Sequence, residues 1–519
     1  MSLLNRRPSV SLGRAAPLLL LAAGLACTPL TAAPLVPAAT GAHASAELAA
    51  KIDDLIGQPR FAAAHWGIAV VSLDSGRTLY AHDADRLLQP ASTAKLFTAA
   101  LSLSTLGADY RIPTRLLGHS TIRHGRLNGP LVLYGMGDPT LGTASSSDWA
   151  DQLASQLAAR GVHRIHGNLI ADDSYFTGPP FGAGWEAGDL QSWFAAPPSA
   201  LSVQENVVEL TATPGSTAGL PASLTFTPID ATPHVLGQLT TSRTGTPDDI
   251  NLYRAPGDTA LHVFGSMASN APPQHFRLTV PDAALLAGRQ LRRALLDHRI
   301  RIDGTLQVLH WPQDDAAMLA RTDTLAEVWS PALLDILQRG LKRSQNLYLQ
   351  NLLLSVGVRE QALEPSATTS GFTSSEGWGI KALQQLLTQI GIAPSASLIG
   401  EGAGLSRSDL VTPRAMVQLL SYLAAQPYAA ELREALPIAG VDGTLAHRMR
   451  GTVAENNLHA KTGSMTYVHD LAGYVTTAAG ERLAFAIMLD DYEPPADGPG
   501  ATSDIDTIAV LLANFRGPD

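Results

Sequence analysis

The stretch Pro90-Ala91-Ser92-Thr93-Ala94-Lys95-Leu96-Phe97 is decisive for the fold and the chemistry, because it places a serine and a lysine three residues apart. Residues at this spacing share one face of a helix, so the amine lies beside the hydroxyl. A serine hydroxyl becomes a strong nucleophile only when a base removes its proton, and a lysine is such a base only in its neutral form. Arginine cannot replace it, because arginine does not deprotonate in proteins. The stretch therefore predicts a nucleophile, Ser92, and its base, Lys95.

Lysine is scarce in this chain, which has five lysines (positions 51, 95, 342, 381 and 461) among 36 basic residues. Two of the five lie in motifs of one reaction. Ser344-Gln345-Asn346 has the form S-x-N, and Lys461-Thr462-Gly463 has the form K-T-G and is followed by Ser464. The motifs S-x-x-K, S-x-N and K-T-G in this order are typical of penicillin-binding proteins and class A β-lactamases. Each motif alone is a weak signal, whereas the ordered set strongly indicates a serine enzyme.

The composition excludes several other functions. The 519-residue chain is 45% hydrophobic and 16% charged, and its net charge of -10 argues against a nucleic-acid partner. We expect no metal and no cofactor, because Cys27 is the only cysteine and the 15 histidines show no ligand spacing. After the N-terminal region no apolar run reaches the roughly 18 residues of a membrane helix. We therefore expect no transmembrane segment in the mature chain.

The N-terminus has the pattern of an export signal. Three arginines precede an apolar run over residues 15–26, and small residues follow up to Ala33. This pattern predicts a signal peptide over residues 1–33 and an exported, periplasmic protein, either soluble or loosely associated with the membrane. Cleavage near Ala44 and lipidation of Cys27 remain open as alternatives.

Hydrophobic periodicity near both chain ends predicts one antiparallel sheet with flanking helices. The predicted helices cover residues 45–55, 92–106 and 505–515. The predicted strands cover residues 67–73, 77–82, 458–464, 471–477 and 483–489. Because the strands come from both ends of the chain, the fold class is α+β with a discontinuous catalytic domain.

The 248 residues between Lys95 and Ser344 exceed what a linker between two motifs requires, and their short β-like runs predict large, mainly β inserted domains. Helical patterning is expected to return over residues 325–340. The predicted catalytic domain comprises residues 45–106 and 315–519. The inserted domain comprises residues 107–162 and 267–314, and a second, nested inserted domain comprises residues 163–266.

With these motifs the chain resembles the low-molecular-mass class C penicillin-binding proteins, which are serine D-alanyl-D-alanine carboxypeptidases and endopeptidases. The resemblance implies a penicillin-recognising, serine transpeptidase-like fold over nearly the whole mature chain. It departs from the family pattern at Gln345, Glu401, Ala403 and Asp409. The segments that carry the resemblance, beside the three motifs, are residues 135–141, 167–174, 196–202, 402–407, 440–445, 460–464 and 471–474.

The resemblance also implies a role for each site residue. The like charge of Lys461 is expected to help keep Lys95 neutral. The backbone amides of Ser92 and Ser464 are expected to form the oxyanion hole. The catalytic residues are expected to be Ser92, Lys95, Ser344, Asn346 and Lys461. The substrate-binding residues are expected to be Thr462, Gly463, Arg407, Met465 and Asp172, with Asp172 holding the free amino end of a diaminopimelate side chain.

The expected reaction is cleavage of peptidoglycan stem peptides after D-Ala, through an acyl-enzyme on Ser92 that β-lactams also form. The sequence does not separate carboxypeptidase from endopeptidase action, and it leaves the oligomeric state open, a homo-oligomer included. Two alternatives remain: a secreted serine β-lactamase, and a non-catalytic, wall-binding scaffold on the same fold. A class A β-lactamase needs a glutamate that activates the deacylating water, and the sequence shows no clear equivalent.

Overall fold

The computed structural model describes residues 39–517, except residues 120, 314, 365–370 and 496. The predicted signal peptide and Cys27 lie outside the described residues. Residues 39–106 form two α-helices and two strands: α1 (Ala39–Ile56), β1 (His65–Ser72), β2 (Thr78–His82) and α2 (Lys95–Leu106).

The middle of the chain forms mostly short strands: β3 (Pro113–Gly118), β4 (Ile122–Arg123), β5 (Arg126–Asn128), β6 (Leu131–Tyr134), α3 (Trp149–Ala159), β7 (Arg164–His166), β8 (Leu169–Asp172), β9 (Val207–Thr213), β10 (Ser223–Thr227), β11 (His234–Gly237), β12 (Thr240–Ser242), β13 (Asp249–Tyr253), β14 (Ala260–Ala268), β15 (Gln274–Thr279), α4 (Ala283–Asp297), β16 (Arg301–Ile302), β17 (Leu306–Leu309), α5 (Ala316–Leu319) and β18 (Asp323–Trp329).

The last part of the chain is helical and then returns to strands: α6 (Leu333–Lys342), α7 (Asn346–Leu363), α8 (Ser375–Gln389), β19 (Ser397–Leu398), β20 (Leu410–Val411), α9 (Pro413–Ala424), α10 (Ala429–Ala435), β21 (His459–Met465), β22 (Val468–Thr476), β23 (Arg482–Asp490) and α11 (Ala501–Ala513).

One antiparallel sheet joins the two chain ends in the order β2-β1-β23-β22-β21. Successive side chains of a strand point to opposite faces of the sheet. Both faces of the central strands are covered by a hydrophobic core, so these strands are buried on both sides. Ile68 and Ile487 face the core that contains α1 and α11. Ala69 and Ala486 face the second core, which contains α2, α7 and α9. The predicted sheet with flanking helices is therefore present.

Helix α7 lies at the centre of the second core. Its residues 346–357 are all buried, so the helix has no solvent-facing side over its first three turns. Its first residue is Asn346, and α2 packs against it. The S-x-N motif is thus placed at the N-terminal end of a buried helix.

The described residues between α2 and α6 form four sheets. The largest has the order β17-β8-β6-β3-β18 and packs against α3 and α4. The others have the orders β16-β7-β5-β4, β10-β9-β15 and β11-β14-β12, with β13 paired to β14. This region is rich in strands, as its sequence predicts, while the domain boundaries given above stay predictions.

The expectation of helix over residues 325–340 is wrong for its first part. Residues 323–329 form β18, which pairs antiparallel with β3 and has a bulge between Thr324 and Ala326. Pro331 follows, and a residue before proline avoids the helical conformation. Helix α6 accordingly begins at Leu333. The apolar residues at 325–329 are compatible with the period of a helix and with that of a strand. Pairing with the distant strand β3 favours the strand.

Candidate active site

Ser92 and Lys95 lie at the junction of a short 3-10 turn, Ala91–Ala94, with α2. The Lys95 Nζ and Ser92 Oγ atoms are 2.8 Å apart. Lys95 is fully buried, whereas Ser92 is partly exposed. The predicted pairing of the amine with the hydroxyl is thus present, with the hydroxyl on the accessible side.

Two carbonyl oxygens hold the Lys95 amine from the opposite side. Lys95 Nζ donates to Asn346 Oδ1 at 2.5 Å and to the backbone oxygen of Ala403. Burial lowers the pKa of Lys95 to about 7, and the charge of Glu401 opposes that shift. A neutral amine has two N–H groups and one lone pair. Since the two carbonyls occupy both N–H groups, the lone pair is left for the Ser92 hydroxyl.

Lys461 lies on β21 and is also fully buried. Its Nζ donates to Ser344 Oγ at 2.9 Å and to the backbone oxygen of Thr462 at 2.7 Å. Its pKa lies well below the usual value, first because of burial and second because of the charge of Lys95. Burial is therefore the larger cause at both amines. Repulsion between the two amines, which was expected to help keep Lys95 neutral, is the second cause of the lowered pKa at Lys461.

The S-x-N motif is a tight turn between α6 and α7. Ser344 has φ of +55°, which is unusual for a residue other than glycine. Asn346 links two regions through its amide: its Oδ1 accepts from Lys95, and its Nδ2 donates to the backbone oxygen of Phe194 at 2.7 Å. The amide orientation is consequently fixed at both ends.

The K-T-G motif lies on β21, the last strand of the sheet. Ile438 bridges to His459 at the start of this strand, and among the described strands none pairs with its outer edge at residues 461–463. The Thr462 and Thr444 hydroxyl oxygens are 2.8 Å apart. A Cβ on Gly463 would lie 2.7 Å from Asp470 Oδ2 and 2.8 Å from the Pro90 backbone oxygen. Only glycine therefore fits between β22 and the segment that leads to Ser92.

The loop at residues 400–407 supplies the Ala403 oxygen, and a buried carboxylate shapes this loop. Glu401 accepts from the backbone amides of Ala403 and Leu405 at 2.9 Å, and from that of Gly404. Trp185 Nε1 also donates to Glu401 at 3.1 Å. From the sequence, Glu401 was only a departure from the family pattern. Its hydrogen-bond partners could not be predicted, because they come together only when the loop folds.

Arg407 is exposed and lies beside the end of the K-T-G strand. Its Nε donates to Glu186 Oε1 at 2.9 Å, and its Nη1 donates to the Thr466 backbone oxygen at 3.3 Å. Asp189 is nearby, and its pKa is raised by partial burial and by the charge of Glu186, while Arg407 opposes the shift. Sequence reasoning missed Glu186 and Asp189. The sequence feature that could have indicated them is a pair of carboxylates in a loop that contains glycines, residues 184–189.

Asp172 is fully buried at the end of β8. Its Oδ1 accepts from the Ser174 amide at 3.0 Å and from the Ser174 hydroxyl at 2.7 Å. Burial raises its pKa to about 6, against the effect of these hydrogen bonds. Within the described residues, these hydrogen bonds are with Ser174 and not with a residue of the three motifs. Met465 and Ser464, by contrast, lie on β21 with the K-T-G motif.

Comparison with known proteins shows the family of the chain. The model of the D-Ala-D-Ala carboxypeptidase 3 (S13) family matches residues 48–514. A D-alanyl-D-alanine carboxypeptidase of Actinomadura sp. (strain R39) is 34% identical over 507 residues, which is 95% of this chain and 89% of the relative. The D-alanyl-D-alanine carboxypeptidase DacB of Haemophilus influenzae is 29% identical over 434 residues, covering 82% and 85% of the two chains.

A solved structure shows the same fold. The crystal structure of penicillin binding protein 4 (dacB) from Haemophilus influenzae superposes with a TM-score of 0.76 at 25% identity, covering 89% of this chain and 99% of that one. This similarity confirms the predicted α+β, penicillin-recognising fold. The match also confirms the resemblance to low-molecular-mass class C penicillin-binding proteins. The chain belongs to the D-Ala-D-Ala carboxypeptidase 3 (S13) family of serine peptidases.

Proposed function

We propose that this enzyme cleaves the peptide bond after D-alanine in peptidoglycan stem peptides, as a carboxypeptidase, an endopeptidase or both, through an acyl-enzyme on Ser92. One observation carries the proposal: the buried Lys95 amine lies 2.8 Å from the Ser92 hydroxyl while two carbonyl groups take its N–H bonds. A base held in this way is ready to accept the hydroxyl proton.

In acylation, Ser92 Oγ attacks the carbonyl carbon of the penultimate D-alanine, and its proton moves to Lys95. The backbone amides of Ser92 and Ser464 stabilise the oxyanion. The carbon–nitrogen bond then breaks, and the proton that Lys95 accepted passes through the Ser344 hydroxyl to the leaving amine. Lys461 donates to that hydroxyl at 2.9 Å, which supports the relay. Water subsequently hydrolyses the ester and restores Ser92.

The substrate carboxylate is bound by Lys461 and Thr462. An anion beside Lys461 favours the charged amine, so substrate binding raises the pKa that burial has lowered. Gly463 lets the peptide lie along the open edge of β21, and Asn346 contacts the substrate backbone. Lys461 therefore recovers its charge when a substrate carboxylate is present.

The stem peptide has a side chain with charged groups. These groups are proposed to bind the charged side chains beside β21. Arg407, Glu186 and Asp189 form a mixed-charge surface next to Thr466. Met465 is proposed to line the same region. Asp172 stays a proposal for the diaminopimelate amino group, supported by the family resemblance alone.

The protein is proposed to act in the periplasm after removal of residues 1–33. Within the described residues, no helix is long and apolar enough to cross a membrane. The β-lactams are proposed inhibitors, because their ring resembles the D-Ala-D-Ala amide. The related penicillin binding protein 4 has been crystallised in complex with a β-lactam.

The test is intact mass spectrometry over time after adding benzylpenicillin, with Ser92→Ala as the control, together with D-alanine release from a D-Ala-D-Ala peptide. We expect a lasting one-to-one adduct on the native chain, none on the variant, and D-alanine release that also needs Ser92. An adduct that disappears within seconds while penicillin is consumed would establish a β-lactamase instead. Absence of both adduct and D-alanine release would leave the scaffold alternative.

A further inference from the structure

A buried carboxylate from the inserted region reaches the S-x-N motif. Glu205 lies in a turn just before β9, and it is 8% exposed. It and its two neighbours, Gln204 and Asn206, all have positive φ, between 52° and 59°. Non-glycine residues adopt this conformation rarely and usually where other contacts enforce it. The turn is therefore built to direct the Glu205 side chain inward.

Most donors to the Glu205 carboxylate come from the segment that contains the motif. Arg343 Nη1 donates to Oε1 at 2.9 Å, and Gln345 Nε2 donates to Oε2 at 2.8 Å. The Tyr348 hydroxyl donates to Oε1 at 3.3 Å, and Arg277 of the inserted region donates to Oε2 at 3.4 Å. One carboxylate thus binds three side chains within six consecutive residues.

The first two donors flank Ser344 directly. Ser344 has the left-handed conformation and receives the hydrogen bond from Lys461. Since Arg343 and Gln345 are both tied to Glu205, the peptide groups on either side of Ser344 are held in place. The third donor, Tyr348, is fully buried in the first turn of α7, which begins with Asn346.

We propose that Glu205 is a positioning residue for Ser344 and Asn346, acting through Arg343 and Gln345. This rests on the proposed function, since Ser344 and Asn346 serve the acylation step there. The inserted region thereby takes part in building the catalytic site. It also gives Gln345, which departs from the family pattern, a specific partner.

The test compares Glu205→Gln with Glu327→Gln. Glu327 also pairs with an arginine of the inserted region, since Arg115 Nε donates to it at 3.3 Å. Its hydrogen bonds are with Arg115 and Gln156, which lie outside the S-x-N segment. The acylation rate by benzylpenicillin is measured per active site, by titrating the reactive fraction. The values of kcat and KM for a D-Ala-D-Ala peptide and the Tm are measured alongside.

We expect Glu205→Gln to lower the acylation rate and kcat about tenfold, with KM changed less than threefold, and Glu327→Gln to leave all three within twofold. A Glu205→Gln variant with a lower Tm and an unchanged kcat would show that Glu205 contributes only to stability, and it would overturn the proposal. Reaction of the unaltered chain with penicillin reports the proposed function separately, so the two failures are distinguishable.

A double-mutant cycle with Gln345→Met tests the route of the effect. If Glu205 acts through Gln345, the double variant should be about as slow as the slower single variant, because both changes break one connection. Multiplied effects of the two single changes would show that Glu205 does not act through Gln345 and would overturn that part of the proposal.

Discussion

The edge strand β21 and the turn at the start of α7 supply facing parts of one site, but they are built differently. Strand β21 pairs with β22 along its length, from His459 opposite Tyr474 to Met465 opposite Val468. The turn around Ser344 is outside any strand ladder. The backbone amides of Ser344 and Gln345 donate to oxygens of α6, and side-chain bonds add links to Glu205 and to the Phe194 backbone oxygen. The backbone ladder of β21 does not depend on any single side chain, whereas the turn depends also on its particular side-chain partners.

This difference predicts which substitutions act locally. A change in a β21 side chain should remove that side chain's chemistry and leave the strand in place. A change in the partners of the turn should displace groups that were not themselves altered. Substitutions in β21, a substitution at Thr444 beside it, and the titration of Lys95 test this difference.

The largest effect is expected from Lys461→Met. Methionine has a similar length and fits a buried position, so the strand should remain while the charge and the hydrogen bond to Ser344 Oγ are lost. We expect the acylation rate to fall roughly 100- to 1000-fold, the usual cost of removing one preorganised electrostatic group. Stopped-flow acylation with a chromogenic cephalosporin measures it. A rate within tenfold of the native value would contradict the role given to Lys461.

The second effect concerns Lys95, which donates to Asn346 at the start of α7 and acts on Lys461 of β21 through its charge. Its pKa is lowered to about 7, and only the neutral amine accepts a proton. The acylation rate should therefore be at its plateau above pH 8 and decline as the pH falls through 7. Two units below the midpoint it should be roughly 100-fold under the plateau, since about one amine in a hundred is then neutral.

The variant Glu401→Gln sharpens the pH prediction. The Glu401 charge raises the pKa of Lys95, so removing it should move the midpoint to lower pH. The measurement is the same acylation rate between pH 5 and 9, with the Tm recorded at each pH to exclude unfolding. A rate that is flat between pH 5 and 8 would show that Lys95 is not the titrating base.

A smaller effect is expected from Gly463→Ala, which tests whether β21 itself can be displaced. The new methyl group would lie 2.8 Å from the rigid Pro90 backbone oxygen and 2.7 Å from Asp470 Oδ2. Such overpacking typically costs about 1–3 kcal/mol of unfolding free energy, and it should also slow acylation because Pro90 precedes Ser92. Denaturant unfolding measures the cost.

Gly500→Ala is the matched control for this substitution, because a Cβ at Gly500 meets nothing within 4 Å. We expect its unfolding free energy to stay within about 0.5 kcal/mol of the native value. Equal losses in the two variants would show that the close approach at Gly463 is unimportant.

The smallest effect is expected from Thr444→Val, which removes the hydroxyl partner of Thr462 and leaves the pairing of β21 intact. A neutral hydrogen bond contributes about 0.5–1.5 kcal/mol, so KM for the dipeptide substrate should rise about two- to tenfold with little change in kcat. Steady-state kinetics separates the two constants. A large fall in kcat would mean that Thr444 has a role in the chemical step.

The sequence predicted well where local pattern decides structure. The serine–lysine spacing, the strands at both chain ends and the helix that ends before Gly107 follow from periodicity and turn residues, and all are present. The prediction failed over residues 325–329, where a strand forms because β3 is available as a partner. Local apolar spacing does not contain that information.

The sequence by itself determined which groups can react: a serine, two scarce lysines and an asparagine in ordered motifs. Only the tertiary structure decided that both lysines are fully buried, and burial is the main cause of their lowered pKa values. It alone also brought Glu205 to Arg343 and Gln345, which follow it by 138 and 140 residues. Motif chemistry depends on residue type and short spacing, whereas desolvation and long-range hydrogen bonds arise only when distant segments pack together.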